Sequence, residues 1–125
     1  MGIRDTAKRP HHRLEAWRDA MDPVEAIYRL SNGFPDDERF NLTSQLRRAA
    51  ISVPSNIAEG VARRSTPEYL RFLSIARGSL SELDTQLHIA ERLDYARVPP
   101  ETVELLDRVF ARLNALIRSI QTREE

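Results

Sequence analysis

The sequence contains no cysteine, which excludes disulfides, thiolate nucleophiles and cysteine-ligated zinc in one step. Glycine occurs only four times, and Gly2, Gly33, Gly60 and Gly78 stand too far apart to build a phosphate-cradling loop. Aromatics are few, with one tryptophan, three tyrosines and four phenylalanines. Lysine is almost missing, since Lys8 is the only one among 19 basic residues. There is no excess of charge, 19 basic against 19 acidic side chains, so no overall field draws the chain to polyanions. No long apolar run is present either. The longest uncharged stretch, Ala49 to Ala58, has ten residues against the roughly 20 that a membrane span needs. Arg4, Asp5, Lys8 and Arg9 near the N-terminus are followed by no apolar segment, so no secretory signal is expected and the cytoplasm is the default compartment.

What remains is a helix-forming composition. With 125 residues, 41% hydrophobic and 30% charged, the chain is long enough for one domain with its own core. Leu, Ala, Arg and Glu dominate, and all favour helix. Strand alternation is missing, and the one Asn-Gly pair, Asn32-Gly33, is followed by Phe34-Pro35 and reads as a helix stop. The expected fold class is all-α, with residues 1–13 as a flexible basic N-terminal arm and residues 14–122 as a single domain.

Four segments carry helical spacing. The first, from about Leu14 to Ser31, places Leu14, Trp17, Met21, Val24 and Tyr28 on one stripe and runs through Pro23 without losing phase. The second, from Asn41 or Leu42 to about Arg63, has Leu42, Leu46, Ala49, Val53, Ile57 and Val61 on one face, with Pro54 inside it. Pro54 cannot donate to the carbonyl of Ala50, so this helix is expected to bend or loosen there. Ser65-Thr66-Pro67-Glu68 opens the third with a cap, a first-turn proline and an acid at the positive end of the dipole. Its stripe is Tyr69, Phe72 or Leu73, Ala76, Leu80, Leu83, Leu87 and Ala90, ending near Tyr95. The fourth, from Pro100 to about Gln121, has Val103, Leu106, Phe110, Leu113, Ile117 and Ile120. Short connectors make sequential helices antiparallel neighbours, which gives an up-down-up-down four-helix bundle.

The later helices carry more apolar surface than a lone bundle buries. Leu105, Val109 and Leu116 form a second row on the fourth helix, and Leu70, Ile89 and Leu93 another on the third. One reading is a wide stripe with a few exposed leucines. The other is side-by-side self-association, with Leu105, Val109 and Leu116 as interface residues.

Candidate chemistry is sparse. Asp84, His88 and Glu91 have suitable helical spacing for a metal, yet they equally make a solvated helix face. No nucleophile elbow is present, so neither enzymatic activity nor a cofactor or metal is expected. The segment Ser52 to Gly60 is rich in hydrogen-bonding groups beside Pro54, which fits local repair of a broken helix ladder. On a second reading Asn56 and Glu59 fix helix register, with Arg77 as the cation for Glu59. Gly60 and Gly78 would then allow close helix approach. Charge is unevenly placed. Lys8, Arg9 and Arg13 in the N-terminal arm, with Arg47, Arg48, Arg63 and Arg64 on the second helix, are candidates for nucleic-acid backbone contact. The alternative is that these arginines pair with the acids of the first helix.

The run from Leu42 to Gly60, with its Asn-Ile-Ala-Glu-Gly end, and the run Tyr69 to Leu83, with Ala-Arg-Gly-Ser inside it, together resemble the four-helix bundle family of ribosomal-RNA intervening-sequence proteins. That family includes the accessory variability proteins of diversity-generating retroelements. Trp17, Ala20, Tyr28, Phe34-Pro35 and Glu38 extend the resemblance over residues 14–95. It implies an antiparallel four-helix protomer and a ring of five subunits around a channel. In the retroelement branch it also implies binding of RNA or DNA and of a reverse transcriptase. Pro54, Asn56, Glu59, Gly60, Arg77 and Gly78 carry over as structural motif positions. The retroelement proteins are strongly basic, whereas this chain is neutral. The expected function is a non-enzymatic oligomeric scaffold that associates with nucleic acid through arginines of the second helix. The alternative is an adaptor whose partner is a protein, such as a reverse transcriptase.

Overall fold

A computed structural model describes residues 2–3 and 9–124. Four helices follow in order: α1 Glu15–Ser31, α2 Leu42–Val61, α3 Thr66–Arg92 and α4 Pro100–Glu124. Among the described residues there is no strand. Short 3-10 turns at Pro10–Arg13 and Asp36–Glu38 precede α1 and α2. Each helix packs on its neighbours in sequence, and α4 returns to α1, which closes a four-cornered bundle.

The helix starts and stops follow local chemistry. Ser65 Oγ accepts from the Glu68 N–H, and Pro67 occupies a first-turn position where its missing N–H costs nothing. α3 ends at Arg92, three residues before Tyr95. There the Asp94 N–H reaches the Glu91 carbonyl and the Tyr95 N–H reaches the Ala90 carbonyl, with Asp94 left-handed at φ 59°. Pro23 and Pro54 both lie inside continuous helices and both are buried, so each proline fills core space instead of ending its helix.

The core stripes of α2 and α3 fall where the spacing puts them. Leu46, Ala49, Val53 and Ile57 face Leu73, Ala76, Leu80 and Leu83, all buried. The stripe of α1 is displaced. Its buried row is Ala16, Ala20, Pro23, Ile27 and Ser31, while Met21 and Tyr28 are exposed and Trp17 and Val24 are half-buried. Small residues let α1 lie close to its neighbours, and the bulky row beside them is turned outward. α4 is rotated in the same sense. Thr102, Leu106, Val109, Leu113, Ile117 and Ile120 are buried, Phe110 is half-buried and Val103 is 44% exposed. This corrects the interface expected at Leu105, Val109 and Leu116. Val109 is 0% exposed within the protomer and cannot meet a second subunit. Leu105 and Leu116 are half-buried, and Leu105 lines a surface hollow together with Ala26 and Leu30 of α1.

Candidate interaction surfaces

Of the seven basic residues expected to meet phosphate, the six that the structure describes do not form one patch. Arg47 sits near the start of α2, and fourteen residues at 1.5 Å each put Val61, the last residue of α2, about 21 Å further along the axis, with Arg63 just beyond it. Arg47 is engaged at the end of α1. Its Nε donates to Ser31 Oγ at 2.8 Å, and its Nη2 donates to Asn32 Oδ1 at 3.0 Å and to the Tyr28 carbonyl at 3.4 Å. The guanidinium also stacks on the Tyr28 ring at 4.5 Å. It therefore ties the start of α2 to the end of α1 through two side-chain oxygens and the Tyr28 carbonyl. Arg63 pairs with Glu59 at 2.8 Å and lies over Phe72, whose ring also meets Arg71 at the same 4.6 Å distance. Arg71 in turn pairs with Glu68, which holds that carboxyl below the usual range. Arg9, Arg13, Arg48 and Arg64 are exposed, with no carboxylate partner among the described residues. Lys8 lies outside the described residues.

The motif positions separate in the same way. Asn56 Nδ2 donates to the Ser52 carbonyl and to Ser52 Oγ, and Ser52 Oγ meets Ser79 Oγ at 2.7 Å, so this polar relay links α2 to α3 just before Pro54. The proposed Glu59–Arg77 pair is replaced by two others. Glu59 takes Arg63 one turn along its own helix, and Arg77 Nη1 donates to Asn114 Oδ1 of α4 at 3.0 Å. Four-residue spacing makes Arg63 the nearer cation, and Arg77 leaves α3 on the side of α4. Gly60 does provide close approach. A Cβ there would lie 3.0 Å from Tyr69 Cδ1 and 3.1 Å from Phe72 Cβ. Gly78 has nothing within 4 Å and is exposed.

Asp84 and His88 stand 3.7 Å apart on an exposed face, while Glu91 turns to accept the Val98 N–H. They border a shallow cleft floored by Leu87, Val98 and Leu106. Among the described residues no group of His, Asp or Glu has the geometry to hold a metal ion.

Sequence reasoning missed an apolar groove between α1 and α2. Trp17, Met21 and Val24 form one wall, and Ile51, Pro54 and Ala58 the other. Met21 and Ile51 are each 43% exposed. The signal was present in the stripe Leu14 to Tyr28, but that stripe was assigned to the core. The N-terminal turn lies beside Trp17, where His11 and His12 pack on its ring at 5.0 and 5.1 Å. Packing against the rings, with His12 and Arg9 nearby, pushes the His11 pKa down.

Charge is also sorted along the bundle. The end formed by the start of α1, the end of α2, the start of α3 and the end of α4 holds Arg13, Arg63, Arg64, Arg71, Arg118 and Arg123, which outnumber Glu15, Glu59 and Glu68 there. The opposite end holds Asp36, Asp37, Glu38, Glu91, Asp94, Glu101 and Glu104, which outnumber Arg29, Arg39, Arg92 and Arg97 there. The family model described as 23S rRNA-intervening sequence protein matches residues 12–119, which covers all of α1 to α3 and most of α4. The chain belongs to that family. A comparison with curated proteins gives no match. Membership of the 23S rRNA-intervening sequence proteins agrees with the four-helix, all-helical architecture. No helix among the described residues is long and apolar enough to cross a membrane.

Proposed function

We propose that this family member is a non-enzymatic cytoplasmic scaffold that assembles in several copies and holds nucleic-acid backbone at its basic end. The resemblance stated above implies five copies in a ring. The observation that carries the reading is the sorting of charge along the bundle. Arg13, Arg64, Arg118 and Arg123 collect at one end without carboxylate partners among the described residues, so their guanidiniums are free to fork onto phosphate oxygens. Several copies presenting that end together would multiply a weak single contact. Arg47 leaves the binding set in this reading, because its donors are already occupied by the end of α1.

Gel shifts with structured RNA across a salt series test it. Binding should weaken steeply with salt, and the Arg64→Ala/Arg118→Ala/Arg123→Ala variant should flatten the slope of log K against log salt by about two to three. Arg48→Ala should leave binding nearly unchanged. No shift at low salt would end the nucleic-acid reading.

A second reading is an adaptor that binds protein alone, and the groove between α1 and α2 favours it. Partly exposed Trp17, Met21, Val24 and Ile51 offer aromatic and flexible apolar surface of the kind that dominates protein interfaces. The resemblance implies a reverse transcriptase as one such partner.

A further inference from the structure

Asn32 and Gly33 form the one Asn-Gly pair of the sequence, since Asn41, Asn56 and Asn114 precede Leu42, Ile57 and Ala115. Such a pair carries a reaction of its own. The main-chain nitrogen that follows an asparagine can attack the side-chain carbonyl carbon, and glycine has no Cβ to crowd that nitrogen. Both residues are exposed at the end of α1, so water and hydroxide reach them. A Cβ added at Gly33 would meet only the Leu30 carbonyl, at 3.8 Å. With no steric shield around the pair, its reactivity is decided by conformation.

The conformation opposes attack. Asn32 is helical, with φ −58° and ψ −26°, whereas ring closure needs ψ turned out of the helical range to bring the Gly33 nitrogen in line with Cγ. The Gly33 N–H is also held. It donates to the Leu30 carbonyl at 3.3 Å, so the proton that must leave before attack is engaged. Turning ψ at Asn32 would swing its two flanks apart, and both are anchored. Ser31 is 3% exposed, and its Oγ donates to the Ile27 carbonyl. Phe34 is 7% exposed and packs on Tyr95, with ring centroids 5.7 Å apart. Arg47 fastens the centre from α2, donating to Ser31 Oγ at 2.8 Å and to Asn32 Oδ1 at 3.0 Å. The carbonyl under attack is thereby tied to a second helix. The guanidinium also polarises that carbonyl, but a polarised carbon out of line with its nucleophile gains nothing.

We propose that Asn32 is a modification site latched by Arg47, which deamidates when the end of α1 opens. On opening, the Gly33 nitrogen gives its proton to hydroxide and bonds to Asn32 Cγ. The Cγ–Nδ2 bond breaks, and that nitrogen takes a proton from water and leaves as ammonia. Water then adds to either carbonyl of the cyclic imide and breaks its bond to the Gly33 nitrogen, which takes a proton back. Addition at Cγ gives aspartate, and addition at the main-chain carbonyl gives isoaspartate. No electron is transferred, and water is the only co-reactant. Isoaspartate routes the main chain through Cβ and Cγ, one atom longer between buried Ser31 and buried Phe34. The turn that fitted Asn32 does not fit that product, so the modification records an opening and prevents its reversal.

Incubation of the full chain at pH 8, followed by digestion and mass spectrometry of the peptide that holds Asn32, measures the rate. Wild type in urea sets the rate of the open turn, and folded wild type should be at least about tenfold slower. Arg47→Ala should keep its helical circular dichroism and deamidate roughly tenfold faster than folded wild type, because the turn opens more often. Arg47→Lys keeps the charge without the fork, should also be faster than wild type, and replaces the alanine variant if that one loses helicity. Gly60→Ala controls for general loss of stability. It disturbs the α2–α3 junction at the other end of the bundle and should leave the Asn32 rate unchanged. A folded wild type that reacts as fast as in urea overturns the proposal. So does an Arg47 variant that reacts no faster than wild type, and so does an equal acceleration by Gly60→Ala.

Discussion

Arg47 and Arg48 are adjacent in sequence, yet their surroundings assign them different work. Arg47 closes the end of α1 through Ser31, Asn32 and the Tyr28 carbonyl, and Ser31 Oγ itself donates to the Ile27 carbonyl at 2.7 Å inside the core. Removing the guanidinium takes a charged donor from the nearly buried Ser31 hydroxyl and from the Asn32 side chain. Arg47→Ala should cost about 1–3 kcal/mol, since hydrogen bonds to a charged donor exceed ordinary ones. Arg48→Ala should stay within about 0.5 kcal/mol, as exposed substitutions away from such networks do. Urea midpoints at unchanged slope separate the two. Asp94 offers a gain at the same scale. It holds a left-handed φ of 59° at the end of α3, where glycine fits without steric cost. Asp94→Gly should stabilise by roughly 0.5–1 kcal/mol in the same measurement.

The helices differ in how far their sequences reveal their buried faces. In α2 and α3 the main apolar row is the longer and more regular one, so spacing selects Leu46, Val53, Ile57, Leu73, Leu80 and Leu83 while Ile51, Ile75 and Ile89 beside it stay exposed. In α1 two rows compete, one bulky and one small. Periodicity weights the bulky row Trp17, Met21 and Val24, but the bundle buries Ala16, Ala20 and Ile27, because small side chains permit closer helices. α4 poses the same ambiguity between Val103 and Val109, and packing against α1 and α3 resolves it. The candidate surfaces were legible as residue types only. That Arg47 caps a helix sixteen residues away in sequence, or that Arg77 meets Asn114, depends on tertiary register that no spacing encodes. The α2–α3 junction gives a test at this scale. Gly60 faces Tyr69 and Phe72 with no room for a side chain, so Gly60→Leu must push the two helices apart. The expected loss is about 1–3 kcal/mol or more by overpacking, read as a lower thermal midpoint.

At the scale of the whole molecule, two tyrosines mark opposite ends of the bundle, and both hold their protons more tightly than a free phenol. Tyr69, at the basic end, is half-buried, and desolvation raises its pKa against the opposing field of Arg123. Tyr95, at the acidic end, donates to Glu38 Oε2 at 2.8 Å and packs on Phe34, which ties the end of α3 to the turn before α2. That bond to a carboxylate is the chief cause of its raised pKa, with desolvation and the charges of Glu38 and Asp37 adding to it. The sign follows from proton counting. Below a pH of about 10 folded and unfolded chains both keep the phenol proton, so the Tyr95–Glu38 contact contributes fully. Above it the unfolded chain releases the proton first, and stability falls until the folded phenol ionises as well. Tyr95→Phe should be less stable than wild type at pH 8, and the gap should close as the pH rises past 10, with Tyr69 common to both proteins. Urea unfolding at pH 8 and pH 11 measures the gap at both limits. No difference at pH 8 would mean that the Tyr95 hydroxyl contributes nothing and that the acidic end is held by the Phe34 contact alone.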